Sequence, residues 1–215
     1  MRNVVFGITV LAITGSTLPS ITFAQEKEET PQAKPASGKP EHLRPEQQAS
    51  KAAVTVGGKA IAYDAFAGTI VVHPKGWDDV PQNADKDDKN LPAEASMFYV
   101  AYFKSGDQAS QRPLTFLFNG GPGSSTVWLH MGAFGPKRVV TADDSHTPAA
   151  PYPIVNNDFS LMDVSDLVFV DAPGTGFSRI AGKDREKAFY GVDADAEAFA
   201  DFIAQFLSKL SLIHI

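Results

Sequence analysis

Residues 113–125 read PLTFLFNGGPGSS, and residues 166–178 read DLVFVDAPGTGFS. In each stretch a short apolar run passes directly into a glycine-rich loop. Almost continuous apolar runs of this length are typical of strands that are covered on both faces of a sheet. In open α/β sheets, ligands bind outside the carboxyl ends of the strands. The two stretches therefore predict two buried strands, each followed by a loop placed to meet a ligand.

The preceding part of the chain predicts further strands. Residues 53–56 and 59–63 are expected to form strands joined by a tight turn at Gly57-Gly58. Residues 68–73 (GTIVVH) and 97–103 (MFYVAYF) are β-branched or aromatic runs of strand length. Strands followed by turns and then by a helix favour an α/β fold.

A helix is expected from Asp193 onward. Apolar residues recur there at helical spacing on one face, namely Phe199, Ile203, Phe206, Leu207 and Leu210. Acidic residues occupy the first turns, where the helix macrodipole favours negative charge, namely Asp193, Asp195 and Glu197.

The N-terminal residues have the features of an export signal. Arg2 precedes an apolar run over residues 4–18, and small residues follow at Thr22-Phe23-Ala24. The run is too short for a membrane anchor, so we expect a periplasmic or secreted protein with signal cleavage near Ala24. Residues 25–50 are rich in proline and charge and predict a disordered linker, which leaves residues 51–215 as the folded domain.

Composition and charge narrow the function classes. The chain has 215 residues, a net charge of -6 and no cysteine. An acidic chain without clustered basic residues is not typical of nucleic-acid or lipid binding. The lack of cysteine excludes disulfides, cysteine nucleophiles and thiolate metal sites. We expect no nucleic-acid partner, no membrane partner after signal cleavage, no metal and no cofactor; the oligomeric state stays open.

The first loop, with Asn119 and three glycines, has the composition of an oxyanion hole. Prearranged backbone N–H groups there would stabilise the charge that develops on a carbonyl oxygen during acyl transfer. A tight turn is the alternative. The lack of a lysine at Walker spacing disfavours a phosphate loop. The second loop matches a dinucleotide fingerprint only weakly, because Arg179 stands where the third glycine is needed. Ser124 and Ser125 are expected as helix N-caps more readily than as nucleophiles.

Together the two stretches resemble the serine carboxypeptidase family, peptidase S10. The resemblance covers the strand, the NGGPGSS loop and the Phe134-Gly135-Pro136 turn, then the DLVFVDAPGTGFS segment and the helix over residues 193–207. It extends over about residues 53–210, the front part of the family domain. It implies an α/β-hydrolase fold that is incomplete, with the N-terminal strands and first helices of the central sheet.

The resemblance also implies roles for individual residues. The Gly121 N–H is expected to be an oxyanion donor, and Asn119 and Gly120 to hold the C-terminal carboxylate of a peptide substrate. A second group would shape the floor of the site, namely Asp171, Pro173, Gly174 and Gly176. The implied activity is that of a secreted serine carboxypeptidase, which hydrolyses peptides at the C-terminus through an acyl-enzyme.

The chain departs from the family pattern in three ways. Ser124 stands where the family usually has Cys, and Ala133 where it often has a Glu that helps to bind the substrate carboxylate. The nucleophile motif Gly-x-Ser-x-Gly does not occur. No histidine matches the triad base, so all five are expected to be surface or loop residues: His42, His73, His130, His146 and His214.

These departures predict a fragment without nucleophile, Asp or His. Ala133 leaves open a related aminopeptidase, esterase or acyltransferase. A further alternative is a non-catalytic exported binding module that keeps the loops as a scaffold.

Overall fold

The computed structural model describes residues 43–77, 93–106, 111–120, 123–141, 144, 146 and 149–214. The predicted signal peptide and most of the predicted linker lie outside the described residues, as does Gly121.

A six-stranded sheet forms the centre of the described chain. Its strand order is β1-β2-β3-β7-β4, and β8 pairs with β3. The strands are β1 (Gln47–Val56), β2 (Lys59–Val72), β3 (Glu94–Lys104), β4 (Leu114–Leu117), β7 (Asp166–Val170) and β8 (Arg179–Ala181). All pairs are antiparallel except β4 and β7, which run parallel. A separate two-stranded sheet joins β5 (Lys137–Val139) to β6 (Ile154–Asn156).

Short helices and one long helix complete the fold. The short ones are α1 (Val127–Leu129), which continues as a π-helical turn (His130–Phe134), a 3-10 turn (Leu161–Asp163) and α2 (Arg185–Phe189); the long one is α3 (Val192–His214). The predicted α/β class is confirmed, with a mostly antiparallel mixed sheet that is compatible with part of an α/β-hydrolase fold. In the described part of the chain, no helix combines the length and apolar character needed to cross a membrane.

The apolar run of β7 is buried because both faces of the sheet are covered. Val168 and Val170 face the core that α3 covers, together with Phe202. Leu167 and Phe169 point to the opposite core, which contains Met162 of the 3-10 turn, Tyr63 and others. The strand side chains alternate between the two cores, which explains why a continuous apolar run suits this position.

The prediction for α3 is confirmed, although its buried face is rotated slightly from the expected one. Phe199 and Phe206 are buried as expected, and Phe202 is buried with them. Leu207 is 45% exposed, so it does not belong to the packed face. The aromatic rings of Phe202 and Phe206 pack edge-on against Tyr99 of β3, which fixes the rotation of the helix on the sheet.

Two strand boundaries differ from the sequence prediction. Strand β2 is continuous where two separate runs were expected, and β1 begins at Gln47, inside the predicted linker. Gly68 in the middle of β2 explains the first difference, because a Cβ there would lie 2.3 Å from the Glu46 carbonyl oxygen. The strand therefore continues through a point where two backbones approach closely. Residues 47–50 are all exposed, so cross-strand pairing rather than burial holds them.

Candidate active site

The parallel pair of β4 and β7 brings the two glycine-rich loops together. Leu114 pairs with Asp166 and Leu117 with Phe169, so both strands end at the same edge of the sheet. Residues 118–126, the Asn119 loop, and residues 171–178, the Asp171 loop, therefore leave the sheet side by side. This is the edge at which open sheets carry their ligand sites.

The buried carboxylate of Asp171 links the two loops. One carboxylate oxygen accepts a 2.8 Å hydrogen bond from the Thr126 N–H, and the other accepts a 3.0 Å bond from the Phe177 N–H. The Asp171 N–H itself donates to the Phe98 carbonyl of β3 at 2.9 Å. Hydrogen bonds to an ionised acceptor are among the stronger ones in proteins. Asp171 thus fixes the relative position of both loops.

Two hydroxyl groups reinforce this link. Thr126 Oγ1 donates to the Val170 carbonyl at 2.5 Å and accepts from the Asn119 N–H at 3.2 Å. Ser178 Oγ donates to the Asp171 carbonyl and accepts from the Phe98 N–H, both at 2.8 Å. Ser178 is 1% exposed, so its hydroxyl is enclosed and fully engaged.

Gly176 allows the Asp171 loop to close around this carboxylate. Its φ of +50° lies in the left-handed region. A Cβ at this position would lie 2.0 Å from Asp171 Oδ2 and 2.9 Å from the Ser125 Cβ. Both the backbone conformation and the available space therefore require glycine.

The predicted substrate-binding residues lie on the Asn119 loop. The Asn119 side-chain N–H donates to Ser124 Oγ. An amide carries two N–H donors, and the second has no acceptor among the described residues. Gly120 is exposed, and no atom lies within 4 Å of where its Cβ would stand. Gly121 is outside the described residues, so its role as an oxyanion donor stays a prediction.

The N-cap prediction for Ser124 and Ser125 is wrong. The residue before α1 is Thr126, and its side chain makes no capping hydrogen bond. Ser124 instead orients the Asn119 amide, and Ser125 packs close to Gly176.

A cavity of about 530 Å³ opens between the two loops and the start of α3. Its volume is in the range of ligand sites. The lining residues are Phe118, Asn119, Gly120, Gly123, Ala172, Pro173, Gly174, Thr175, Phe189, Tyr190, Gly191, Val192, Asp195 and Phe199. Ala133 is not among them.

Asp195 is a charged residue of this cavity whose place the sequence did not reveal. It lies in the first turn of α3, and partial burial raises the pKa of its carboxyl above the usual range. Its side chain has no hydrogen-bond partner among the described residues. The sequence held one signal for this position: Asp195 and Phe199 are four residues apart, which places both side chains on the same side of the helix.

His130 contradicts the expectation that every histidine is a surface or loop residue. It lies in the π-helical turn, and its ring stacks on that of Phe169 in β7 with the ring centroids 4.7 Å apart. Its Nε2 is 2.6 Å from the Tyr102 hydroxyl oxygen. Burial lowers the pKa of His130 to about 4, and the negative charge of Asp171 opposes this shift. Tyr102 is partly buried, and this burial raises the pKa of its phenol. His130 is therefore a neutral, packed residue.

Of the remaining histidines, the structure describes the side chains of His73 and His146. His73 follows β2, and its ring stacks on that of Trp77 with the ring centroids 3.6 Å apart. Its Nε2 lies 3.9 Å from Glu94 Oε2. His146 is exposed, whereas His42 and the side chain of His214 lie outside the described residues. Within the described ranges, no serine hydroxyl is hydrogen-bonded to a histidine ring, and no three metal-binding side chains cluster.

The model of the serine carboxypeptidase family, peptidase S10, matches residues 87–212, which include both loops and most of α3. The chain belongs to this family. Over 116 residues it is 32% identical to the pheromone-processing carboxypeptidase KEX1 of Phytophthora infestans, a match that covers 53% of this chain and 17% of that protein. Over 126 residues it is 30% identical to a carboxypeptidase Y homolog of Arthroderma benhamiae, covering 58% and 23% respectively.

The family prediction from the two loop motifs is thereby confirmed. The chain spans less than a quarter of the length of these relatives, 17% of one and 23% of the other. The matched range includes the two loops that meet at the cavity, with Asn119 and Asp171.

Proposed function

We propose that this chain supplies the substrate-binding and oxyanion-binding part of a secreted serine carboxypeptidase that hydrolyses peptides from the C-terminus. The observation that carries the proposal is the meeting of two family loops around one cavity at the carboxyl ends of β4 and β7. Asp171 holds the loops in register, and Asn119 and Gly120 line the cavity.

In this proposal the C-terminal carboxylate of the peptide binds to the free N–H of the Asn119 amide and to the backbone at Gly120. The Gly121 N–H faces the carbonyl oxygen of the scissile bond. When a serine attacks that carbonyl, this donor stabilises the developing negative charge, and loss of one such donor typically costs about 3 kcal/mol in the barrier. Water then hydrolyses the acyl-enzyme.

The nucleophile and its base come, in this proposal, from polypeptide outside these 215 residues. The sequence has no Gly-x-Ser-x-Gly motif. Ser178 is excluded as nucleophile by its two hydrogen bonds, and Ser124 is engaged by Asn119. Strand β4 is last in the strand order of the described sheet, so its outer edge has room for a further parallel strand. By itself the chain should not turn over a peptide.

Export is part of the same proposal. Residues 1–24 carry the signal-peptide features, so the enzyme would act in the periplasm or outside the cell on peptides. A site that uses backbone N–H groups and an amide for its chemistry needs no cofactor.

Carboxylate recognition can be tested on the chain itself. Calorimetry would compare acetyl-Phe-Ala with a free C-terminus against its C-terminal amide. We expect the free acid to bind about tenfold more tightly, because charged hydrogen bonds contribute about 1.5–3 kcal/mol. Asn119→Ala should remove that preference, whereas Gln48→Ala, which deletes an exposed amide on β1, should leave it intact. Equal binding of acid and amide would contradict the proposal.

The absence of a nucleophile is tested separately with a serine-reactive fluorophosphonate. The chain should remain unlabelled, with intact-mass spectrometry as the readout. Stoichiometric labelling at Ser124, Ser125 or Ser178 would overturn this part of the proposal.

Ala133 favours a second candidate, a related esterase, aminopeptidase or acyltransferase. It lacks the carboxyl group that often assists carboxylate binding in this family. Such an enzyme would bind blocked and free C-termini alike, so the acid–amide comparison separates the two. If neither peptide binds, a non-catalytic exported module becomes the better description.

A further inference from the structure

We propose that Asn119 is a site of spontaneous covalent modification, at which the side-chain amide is converted to aspartate or isoaspartate by reaction with the Gly120 backbone. Both residues follow β4 in a segment without helix or strand. Asparagine is a chemically labile residue, because the backbone nitrogen that follows it can attack its side-chain carbonyl. The surroundings of the two residues decide how readily this attack occurs.

The reaction needs water as its only co-reactant. The Gly120 nitrogen gives up its proton and bonds to Asn119 Cγ, the bond from Cγ to Nδ2 breaks, and Nδ2 leaves with that proton as ammonia. A succinimide ring then joins the two residues. Water opens the ring at either carbonyl, which gives aspartate when the new bond from Cγ breaks and isoaspartate when the original peptide bond breaks. One amide and one water thus become one carboxylic acid and one ammonia, and nothing is oxidised or reduced.

The backbone nitrogen of Gly120 is free to make this attack. The residue is exposed, and no atom lies within 4 Å of where its Cβ would stand. Its N–H has no acceptor among the described residues. Without a Cβ, the chain reaches conformations that other residues avoid, so the nitrogen can turn toward the preceding side chain. The open space and the missing hydrogen bond both favour ring closure.

The side chain of Asn119 leaves the attacked group open. Its Nδ2 donates to Ser124 Oγ, whereas its Oδ1 accepts no hydrogen bond from a described residue. The contact with Ser124 therefore holds the nitrogen that leaves and not the carbonyl that is attacked. Asn119 is partly exposed and lines the cavity, so solvent water can reach the ring once it has formed.

The other two asparagines that the structure describes lack these features. Asn156 is followed by Asn157, and its oxygen and nitrogen are both bonded to the Thr55 backbone at 2.8 Å. Asn157 is followed by Asp158 and is 1% exposed, and its amide makes hydrogen bonds to the backbone through both ends. Amides held in this way cannot turn toward the next backbone nitrogen. The reaction should therefore be selective for Asn119.

The consequence for binding rests on the proposed function. There the Asn119 amide donates an N–H to the C-terminal carboxylate of the peptide. Aspartate or isoaspartate at this position has no amide donor and carries a negative charge, which repels a carboxylate. The modification would therefore remove the preference for a free C-terminus as the protein ages.

The test follows each asparagine of the full chain by mass spectrometry. The protein is incubated at 37 °C and pH 8.5 in water enriched in heavy oxygen, and is then digested with pepsin at acid pH, where the reaction is slow. We expect Asn119 to be lost over days to two products, aspartate and isoaspartate, each with one heavy oxygen, while Asn156 and Asn157 remain. Incubation at pH 6 should slow the loss several-fold, because base removes the Gly120 proton.

Two glycine variants test the role of Gly120. Gly120→Ala should slow the loss of Asn119 several-fold, because the new Cβ hinders the approach of the nitrogen. Gly132→Ala, at another exposed glycine with open space around it, should leave the rate unchanged. Circular dichroism checks that both variants fold. Persistence of Asn119 alongside Asn157, or equal rates in Gly120→Ala and the unsubstituted chain, would overturn the inference.

Binding of acetyl-Phe-Ala and of its amide, measured before and after conversion, separates this inference from the proposed function. The fresh chain should prefer the free acid, and the converted chain should lose that preference. A stable Asn119 in a chain that prefers the acid removes only the modification site. Conversion in a chain that never distinguished the two peptides removes the carboxypeptidase proposal, and a preference that survives full conversion removes the consequence for binding.

Discussion

The Asp171 carboxylate accepts a 2.8 Å hydrogen bond from the Thr126 N–H, 45 positions earlier in the chain. This contact is buried and connects the two loops that meet at the cavity. The second carboxylate oxygen of Asp171 accepts a hydrogen bond from the Phe177 N–H, which lies in the same loop as Asp171. The geometry of the proposed substrate site therefore depends on one side chain that does not line the cavity.

We expect Asp171→Asn to destabilise the chain by about 3 kcal/mol. The amide keeps one acceptor but turns an NH2 group toward a backbone N–H, which leaves a buried donor without a partner, and it loses the charge-assisted bonds. Urea unfolding followed by fluorescence measures the change. Asp163→Asn, at an exposed position, should alter the free energy of unfolding by less than about 0.5 kcal/mol. Equal stability of the two variants would contradict the role given to Asp171.

Gly176→Ala should lower the free energy of unfolding more than the same substitution does at another glycine with left-handed backbone but open surroundings. Gly58 has a φ of +76° and open space around it, so Gly58→Ala reports the backbone cost alone, about 1 kcal/mol. Gly176→Ala adds the clash with Asp171 Oδ2, for which we expect a total of about 3 kcal/mol or more. Denaturant unfolding of the two variants gives the difference.

The cause of that difference can be isolated by a double-mutant cycle. In an Asp171→Ala background the carboxylate that the new Cβ meets is gone and the 2.9 Å approach to the Ser125 Cβ remains, so the extra cost of Gly176→Ala should become smaller without disappearing. An unchanged extra cost would place the strain elsewhere in the loop.

The sequence was sufficient to predict those strands and helices in which the apolar residues follow the spacing of the element itself. Strand β7 is apolar at every position but the first because two cores enclose it, and α3 repeats its aromatic residues on one side. The continuity of β2 was not predictable in this way. It depends on Gly68 meeting the Glu46 backbone, a contact between residues 22 positions apart that no local pattern encodes.

The same reason limits what the sequence indicated about the site. The motifs identified Asn119 and Asp171, because each follows directly on an apolar run in the sequence. The burial of His130 was missed, since it depends on Tyr102 and Phe169 from two other strands. Helical spacing gave the side of α3 on which Asp195 lies, but not that the loops would enclose a cavity on that side.

Arg112 should contribute much more to the free energy of unfolding than an exposed basic residue does. Its Nε lies 2.9 Å from Asp166 Oδ1 in an almost buried pair, and its guanidinium also donates to the Met162 carbonyl at 2.7 Å. Arg112→Ala leaves a buried carboxylate without its cation, so we expect a loss of about 3–5 kcal/mol. Lys51→Ala breaks the exposed pair with Asp64 and should cost about 1 kcal/mol at most. Thermal and urea unfolding compare the two, and a similar small effect in both would refute a structural role for the buried pair.

His130 should make the stability of the chain depend on pH between about 4 and 6.5. Burial lowers its pKa in the folded state to about 4 from an ordinary value of 6.5, so between these values the unfolded chain binds a proton that the folded chain excludes. The contribution of His130 to stability is therefore fully present above pH 6.5 and is lost as the pH is lowered toward 4, a loss on the order of 3 kcal/mol.

His130→Gln removes the titrating group and should flatten this part of the profile, measured as the free energy of unfolding in urea from pH 7.5 to 4. Because both proteins carry the same carboxylates, the difference between the two profiles reports His130 together with its interaction with Asp171. His146→Gln, at an exposed position, should retain the slope of the unsubstituted chain, and a flattening in that variant instead would show that His130 is not the responsible group.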